Sequence, residues 1–479
     1  MNSTDRYPIG LSKALRLCGL RIALLAGVLL AGVITATAQE HRRLEIQIKG
    51  AAKDSMFLAN YYGNRLFYTD TAVADAGGKA VFERKEGYRT GVYAVMLGTK
   101  RLEFVVNEAV VRLATELVDL PGRLTVLESH ENELYRERNA IVAKGGDNDA
   151  GLRNLADKNP GTFVAKLIRM GMEPVNPPVL LADGVLDSAA TAVQRRIHYW
   201  DNTDLVDPGI LYAPVFQNRL DAFLAQVPHK ADAIDRSLDD LMTRAHGSEE
   251  VQRYLVSWFT SRYESSADAE MSSVYVHLAQ TYVCPAKGEP MSGTWVPVDK
   301  WEKVCERARI KACLRGGSRS NDLILADTTE QHWVSMHAMP QECVVIVFWS
   351  PHCSHCKVAM PALYEQYVKK LRALDVGIYA VAEATDSSTF HDWKKFIHEK
   401  GLDWVNVGIP WHVAEASKAD HASLVPGLTT DDSLNYLQTW EVSGTPTYYV
   451  LDGERKVLGK PESITDMIRM VREHKRAVH

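Results

Sequence analysis

One short run constrains this chain more than any other: CVVIVFWSPHCSHC, residues 343–356, with the pattern AMPALYEQYVKKLRAL close behind it. CVVIVFWS is an unbroken apolar run, as expected of a strand covered on both faces. The residues that follow carry apolar side chains at helical spacing, so Cys353 and Cys356 stand where a buried strand gives way to a helix. At such a junction the first sulfur lies beside unpaired backbone N–H groups and the positive end of the helix dipole. That setting favours thiolate over thiol and makes Cys353 the expected nucleophile. Cys356, about one turn further on, is placed to attack a mixed disulfide formed at Cys353. Two plainer readings compete. A C-x-x-C is half of a zinc site, but structural zinc needs two further ligands at regular spacing, and His352 and His355 flank the same turn. The pair is otherwise an inert structural disulfide.

Around this run the pattern alternates between strand and helix. LILADTTEQHWVSM reads as a hairpin, DVGIYAVAEA as a strand, DWKKFIHEK as a helix and WVNVGI as a short strand. DDSLNYLQTWEV reads as one further helix. TYYVLD and RKVLGK form a hairpin turning at Asp452 and Gly453, and SITDMIRMVREHKR is the last helix. Gly444, Thr445 and Pro446 stand just before TYYVLD. A proline fits poorly inside a central strand, so Pro446 marks a special peptide bond of the kind that can be cis. The connection PWHVAEASKADHASLVPGLTT, residues 410–430, is long enough to contact a substrate. Its His412 and His421 lack the cysteine or carboxylate pattern of a metal site, and no metal is expected.

Upstream the period changes. Residues 44–128 hold short alternating runs such as LEIQIKG, KAVFER, GVYAVML and LEFVVN, separated by turn residues including Gly77 with Gly78. They predict an antiparallel sandwich or barrel. Residues 131–315 carry apolar positions at helical spacing, broken at Pro160, Pro174, Pro208 and Pro228, which predicts several separate helices. Their aromatic residues, Tyr254, Trp258, Phe259, Tyr275 and Tyr282 among them, are read as core.

The first forty residues read as an address. Arg6, Lys13, Arg16 and Arg21 precede an apolar run, residues 22–34, which leads to Ala36, Thr37 and Ala38. This is the pattern of a secretory signal peptide cleaved near Ala38, with an uncleaved anchor as the alternative. Export to an oxidising compartment lets thiols pair. Cys305 and Cys313 lie in one predicted helix, about 12 Å apart and too far to be bridged, so Cys284 is the better partner for either. Cys343 opens a buried strand and reads as a packed thiol. A length of 479 residues suggests about three domains. With 55 Lys and Arg against 60 Asp and Glu the net charge is −5, which leaves no basic surplus for nucleic acid. The 46% hydrophobic and 24% charged content excludes wholesale disorder, a collagen-like repeat and a polytopic membrane protein.

On FWSPHCSHC, the helix and strand DWKKFIHEKGLDWVNV and the segment GTPTYYVLD, residues from about Ala308 to the C-terminus resemble the thioredoxin superfamily. Within it they resemble the exported thiol:disulfide oxidoreductases of the TlpA/ResA type. The expected architecture is multidomain: a signal peptide at 1–38, a β-sandwich-like module at 39–129, an α-helical domain at 130–307 and a C-terminal α/β thioredoxin-like fold at 308–479. The order of modules also resembles multidomain envelope proteins of Gram-negative bacteria.

The resemblance implies that Cys353 attacks and Cys356 resolves. It implies that Pro446 is a cis-proline lying against the disulfide, with the backbone of Thr445 placed to pair with substrate, and that Trp349, the aromatic residue before the active turn, and His355 stand with them as substrate-positioning residues. It further implies an enzyme that needs no cofactor and acts on cysteine-containing envelope proteins in the periplasm. Electrons would come from, or pass to, a membrane or thioredoxin-like partner. The chain also departs from the family. Val347 stands where thioredoxin has a buried aspartate, and Ala359 where reducing members often have a glutamate. Glu383, at the end of GIYAVAEA, is the nearest remaining carboxylate to act as proton acceptor, or else a solvated strand end. His355, just before the second cysteine, resembles disulfide oxidases and isomerases, because a protonated imidazole stabilises the reduced form. Reductase, oxidase or isomerase, and a binding or scaffold protein without catalysis all stay open at this point.

Overall fold

A computed structural model of the chain describes residues 42–478 apart from 267, 285–297, 385 and 418–427. The expected signal peptide, its cleavage site and His421 lie outside the described residues. No helix among the described residues is long and apolar enough to cross a membrane. The chain divides into two compact units. One comprises the residues up to Ala59 with Tyr68–Glu133, and the other comprises Asn60–Phe67 with the chain from Leu134 on.

The first unit is built on strands β1 (Arg43–Lys49), β2 (Ser55–Tyr62), β3 (Arg65–Val73), β4 (Lys79–Glu83), β5 (Gly91–Leu97), β6 (Lys100–Val106), β7 (Val110–Glu116) and β8 (Thr125–Glu128). They form two four-stranded sheets in the orders β4-β1-β7-β8 and β3-β2-β5-β6. Alternate residues of both sheets, including Ile46, Leu58, Phe82, Tyr93, Phe104 and Leu113, share one core, which makes the module a sandwich. The expectation of a wholly antiparallel module needs one correction, because β1 and β7 pair in parallel. Parallel neighbours require a long crossover, and the five intervening strands supply it. In the turn before β4, Gly78 has φ +79°, and a Cβ there would meet the Ile48 carbonyl oxygen at 2.2 Å. Only glycine fits.

The second unit begins with helices α1 (His130–Ala143), α2 (Asp149–Lys158), α3 (Phe163–Gly171), α4 (Ser188–Ile197), α5 (Pro214–Leu224), α6 (Ala231–Arg244), α7 (Glu249–Tyr263) and α8 (Ala269–Leu278). A π-helical turn, Ala279–Val283, extends α8, and α9 (Val298–Leu314) follows. Pro160 and Pro228 fall between helices, Pro208 opens a short 3-10 helix, Pro208–Tyr212, and Pro214 opens α5 in the first turn, where its missing N–H costs nothing. Phe259 and Tyr275 are fully buried and Tyr254 and Tyr282 nearly so. Cys284 is bonded to Cys305, tying the end of α8 to α9 with Cα atoms 5.6 Å apart, while Cys313 is free. The boundary expected at residues 307 and 308 falls inside α9, which runs on to Leu314. Its first half carries the disulfide. Its second half holds Asp432 through Arg309 at 2.7 and 3.0 Å and Glu441 through Lys311 at 2.8 Å.

The remainder forms β9 (Ile324–Asp327), β10 (Trp333–Ser335), β11 (Cys343–Trp349), α10 (Ser354–Gln366), β12 (Val376–Ala382), α11 (Ser387–Lys400), β13 (Val405–Gly408), α12 (Trp411–Ser417), α13 (Asp431–Leu434), α14 (Tyr436–Thr439), β14 (Thr447–Leu451), β15 (Val457–Gly459) and α15 (Ile464–Val478). Seven strands make one sheet in the order β10-β9-β13-β12-β11-β14-β15. The central strand β11 runs parallel to β12 and antiparallel to β14. All seven of its residues are buried because both faces are covered. Cys343, Val345, Val347 and Trp349 face α10, α11 and α15; Val344, Ile346 and Phe348 face Tyr436 and Trp440. Two expectations change here. DDSLNYLQTWEV forms two short helices, because Asn435 between them leaves helical geometry at ψ 29°. The long connection begins with α12, and its residues 418–427 lie outside the described residues.

Candidate active site

Cys353 is the N-cap of α10, with extended backbone, and its sulfur accepts the N–H of Cys356 at 3.4 Å. The turn before it is closed by the Cys353 N–H donating to the Ser350 carbonyl at 3.2 Å. Burial pushes the Cys353 thiol up. That effect is outweighed by the N–H and thiol of Cys356, the side chain of Thr445 and the N–H of His355, which bring the thiol down to about 7. Cys356 is fully buried, and burial, reinforced by the Cys353 sulfur, raises it to about 11. The pair is therefore asymmetric, with one accessible sulfur ionised near neutrality and one buried sulfur held as a thiol.

The Thr445–Pro446 peptide is cis. It brings the Thr445 carbonyl to within 3.3 Å of the Cys353 sulfur, whose S–H donates to it. Four of the residues singled out from the sequence, Cys353, Cys356, Thr445 and Pro446, thus meet across the gap between α10 and β14. His355 is beside them and exposed, contributing its backbone N–H to the Cys353 sulfur.

Two expectations are corrected. Trp349 is wholly buried on the α10 side of β11, with its ring 5.2 Å from Phe396. It supports the site from beneath and cannot touch a substrate. Glu383 sits just beyond β12, where side chains alternate between faces. Ala380 and Ala382 point to the cysteine side, whereas Tyr379 and Val381 point to the other, and the charge of Glu383 is felt by Tyr436 on that other face. It is not the proton acceptor of Cys356. Val347, where thioredoxin has an aspartate, does face the cysteine side but is apolar.

Two neighbours of the site were not read from the sequence. His352 pairs with Asp392 of α11 at 2.8 Å, joining the active turn to a helix forty residues downstream. No local pattern announces such a pair. Tyr448 lies opposite Val347 in the β14 register, within the same buried cluster as Cys356. Its phenol is pushed up to about 12 by burial and then by Cys356. Counting two residues on from Pro446 places Tyr448 on the face of β14 that Pro446 also takes, which is the signal that would have found it. Among the described residues no group of three or more His, Cys, Asp or Glu side chains is arranged to hold a metal ion.

No family model and no curated protein matches this chain. It is similar to several solved structures. A thioredoxin-like protein from Bacteroides caccae is 15% identical and covers 63% of this chain and 98% of its own, with TM-score 0.40. The thioredoxin domain of a thiol-disulfide oxidoreductase from Bacteroides vulgatus is 23% identical over 34% of this chain and 98% of its own, TM-score 0.27. A thiol:disulfide interchange protein from a Bacteroides species is 22% identical over 34% of this chain and 92% of its own, TM-score 0.26. The strand order around β11, the cysteine pair at the start of α10 and the cis peptide ahead of β14 make the C-terminal part of this chain a thioredoxin-like fold.

Proposed function

We propose that the protein is an exported thiol:disulfide oxidoreductase that reduces disulfides of envelope proteins through Cys353 and Cys356. The observation that carries this reading is the asymmetric placement of the two sulfurs: Cys353 caps α10 and accepts the Cys356 N–H at 3.4 Å, which favours its thiolate, whereas Cys356 is fully buried behind it, which favours its thiol. The Cys353 thiolate attacks one sulfur of a substrate disulfide, forming a mixed disulfide and releasing the other sulfur as a thiolate. Cys356 then gives up its proton, attacks Cys353, and releases the substrate's second sulfur. The protein ends as the disulfide and the substrate as the dithiol, so two electrons have moved. A further partner, of the membrane or thioredoxin-like kind, must return two electrons for the next cycle. No cofactor is needed.

The reducing direction is what the resemblance to the TlpA/ResA type implies, and the moderate lowering of the Cys353 thiol accords with it. A nucleophile near 7 matches thioredoxin, whereas a strong periplasmic oxidant has one near 3.5. The greater the stabilisation of the thiolate, the greater that of the reduced form, and the more oxidising its disulfide. The oxidase or isomerase reading rests on His355, which stands next to Cys356. Export rests on the leader pattern at residues 1–38. A cysteine-substituted pair tests the chemistry. Cys356→Ala should accumulate a mixed disulfide at Cys353 when a protein disulfide is offered, and Cys353→Ala should form none. Equal trapping by both variants, or by neither, contradicts the reading, and the latter result favours a binding module without catalysis.

A further inference from the structure

A cleft of about 720 Å³ opens beside the site, and half of it is built by the helical part of the chain. One wall is the strand side: Pro446, Thr447 and Tyr448 of the segment that touches Cys353, with Gly459 and Lys460 at the end of β15. The other wall comes from the corner after α7, from α8 and from α9, with Ser266, Ser272, Arg307 and Gly316. Since the Thr445 carbonyl is 3.3 Å from the Cys353 sulfur, the cleft begins one residue from the reacting atom.

Its chemistry is selective. Two ion pairs lie along it, Arg307 with Glu264 at 3.2 Å and Lys311 with Glu441 at 2.8 Å, and Arg315, Lys460 and Glu462 are the other charged groups of its lining. Lys460 donates to the Glu441 carbonyl at 3.0 Å and lies over the Tyr449 ring. The lining thus carries four cations against three carboxylates, a surplus of one that is small for holding a nucleotide or sugar phosphate. The walls also carry hydroxyl groups, from Ser265, Ser266, Ser272, Ser273, Ser443 and Thr447, of which Ser266, Ser273 and Thr447 already donate to the carbonyls of Asp268, Glu270 and Gly444 and are left to accept, and stretches of backbone next to glycine. Hydroxyls both donate and accept, which suits the alternating N–H and C=O groups of an extended polypeptide. The volume lies in the range of ligand sites that bury most of their occupant.

We infer that this cleft binds the polypeptide segment flanking the substrate's cysteine, so that the helical part of the chain selects a protein disulfide over a small thiol compound. The inference rests on the exchange reading above. The electron balance is the one already given; the cleft adds only binding energy to the approach of the substrate disulfide.

The test uses the full reduced chain and two probes with the same leaving group. One is a short extended peptide whose single cysteine carries 5-thio-2-nitrobenzoate as a mixed disulfide. The other is N-acetylcysteine amide carrying the same group. The Cys353 thiolate displaces the coloured thiolate from each and forms a mixed disulfide with the cysteine. Wild type should react with the peptide about tenfold faster per unit concentration than with the single residue. Ser272→Trp fills the cleft from α8. Gly316→Phe fills it from the chain after α9, where a Cβ meets nothing within 4 Å. In both variants the peptide's advantage should collapse towards one. An advantage that is absent in wild type, or that survives both substitutions, overturns the inference while leaving the exchange reading standing. If wild type reacts with neither probe, the exchange reading itself has failed, and the inference with it.

Discussion

At the scale of single residues the account turns on how differently two sulfurs ionise. Cys353 is lowered from an ordinary value near 9 to about 7, so the folded dithiol gains stability that is fully present above the ordinary value and is lost as pH falls through about 7. The disulfide form has no such proton to lose. Below pH 7 reduction should therefore take up two protons per two electrons, and the potential should fall by about 59 mV per pH unit. Between about 7 and about 11, where only Cys356 takes a proton, the slope should be about 30 mV per pH unit. Potentials measured from pH 5.5 to 9 would show this break, and a single slope across that range would contradict the assignment. Glu383→Gln should change the exchange rate by less than about twofold, because the carboxylate lies on the far face of the sheet; stopped-flow kinetics with a protein disulfide would show it. Cys353, Cys356 and Pro446 were legible in the sequence because each sits in a short local pattern. Of the two readings of Glu383, proton acceptor or strand end, the first fails on parity, because one position along a strand moves a side chain to the opposite face.

At the scale of elements, the site exists because the start of α10 and the start of β14 meet at the end of one buried strand. β11 could be read from its apolar run, and so could α10, since burial on both faces and on one face leave different periods. Trp349 was drawn into the site by its nearness in sequence to the cysteines, yet strand alternation puts its ring in the core beneath them. Trp349→Ala should accordingly act on stability, at a cost of about 3–5 kcal/mol in denaturant unfolding, and should leave the pH midpoint of Cys353 alkylation near 7 in the protein that stays folded. A shift of that midpoint without loss of stability would place Trp349 in the chemistry after all. The parallel pairing of β1 with β7 was hidden because alternation reveals which face a residue takes and says nothing of strand direction. The break at Asn435 was hidden because the apolar spacing continues through it.

At the scale of the whole molecule, the division into strand-rich, helical and α/β parts followed from changes in period, but the role of α9 did not. A helix that carries a disulfide at its middle and ion pairs to Asp432 and Glu441 in its last two turns couples the helical part to the thioredoxin-like part, and only tertiary structure reveals it. The Cys284–Cys305 bridge closes a span of 21 residues, for which loop entropy predicts about 3 kcal/mol. Replacing both cysteines by serine should lower unfolding stability by about that amount, while reduction of the Cys353 pair continues; a loss of exchange at Cys353 in the folded variant would instead tie the two sites together. The account's central claim is that Cys353 and Cys356 form a reversible two-electron couple of the reducing kind. The most direct measurement is the equilibrium between their dithiol and disulfide forms in dithiothreitol and glutathione buffers of stepped potential, read by thiol labelling at each sulfur. The account predicts one transition confined to these two sulfurs, nearer about −270 mV than about −120 mV. A transition near −120 mV would reverse the direction of electron flow, and the absence of any transition at this pair would contradict the claim outright.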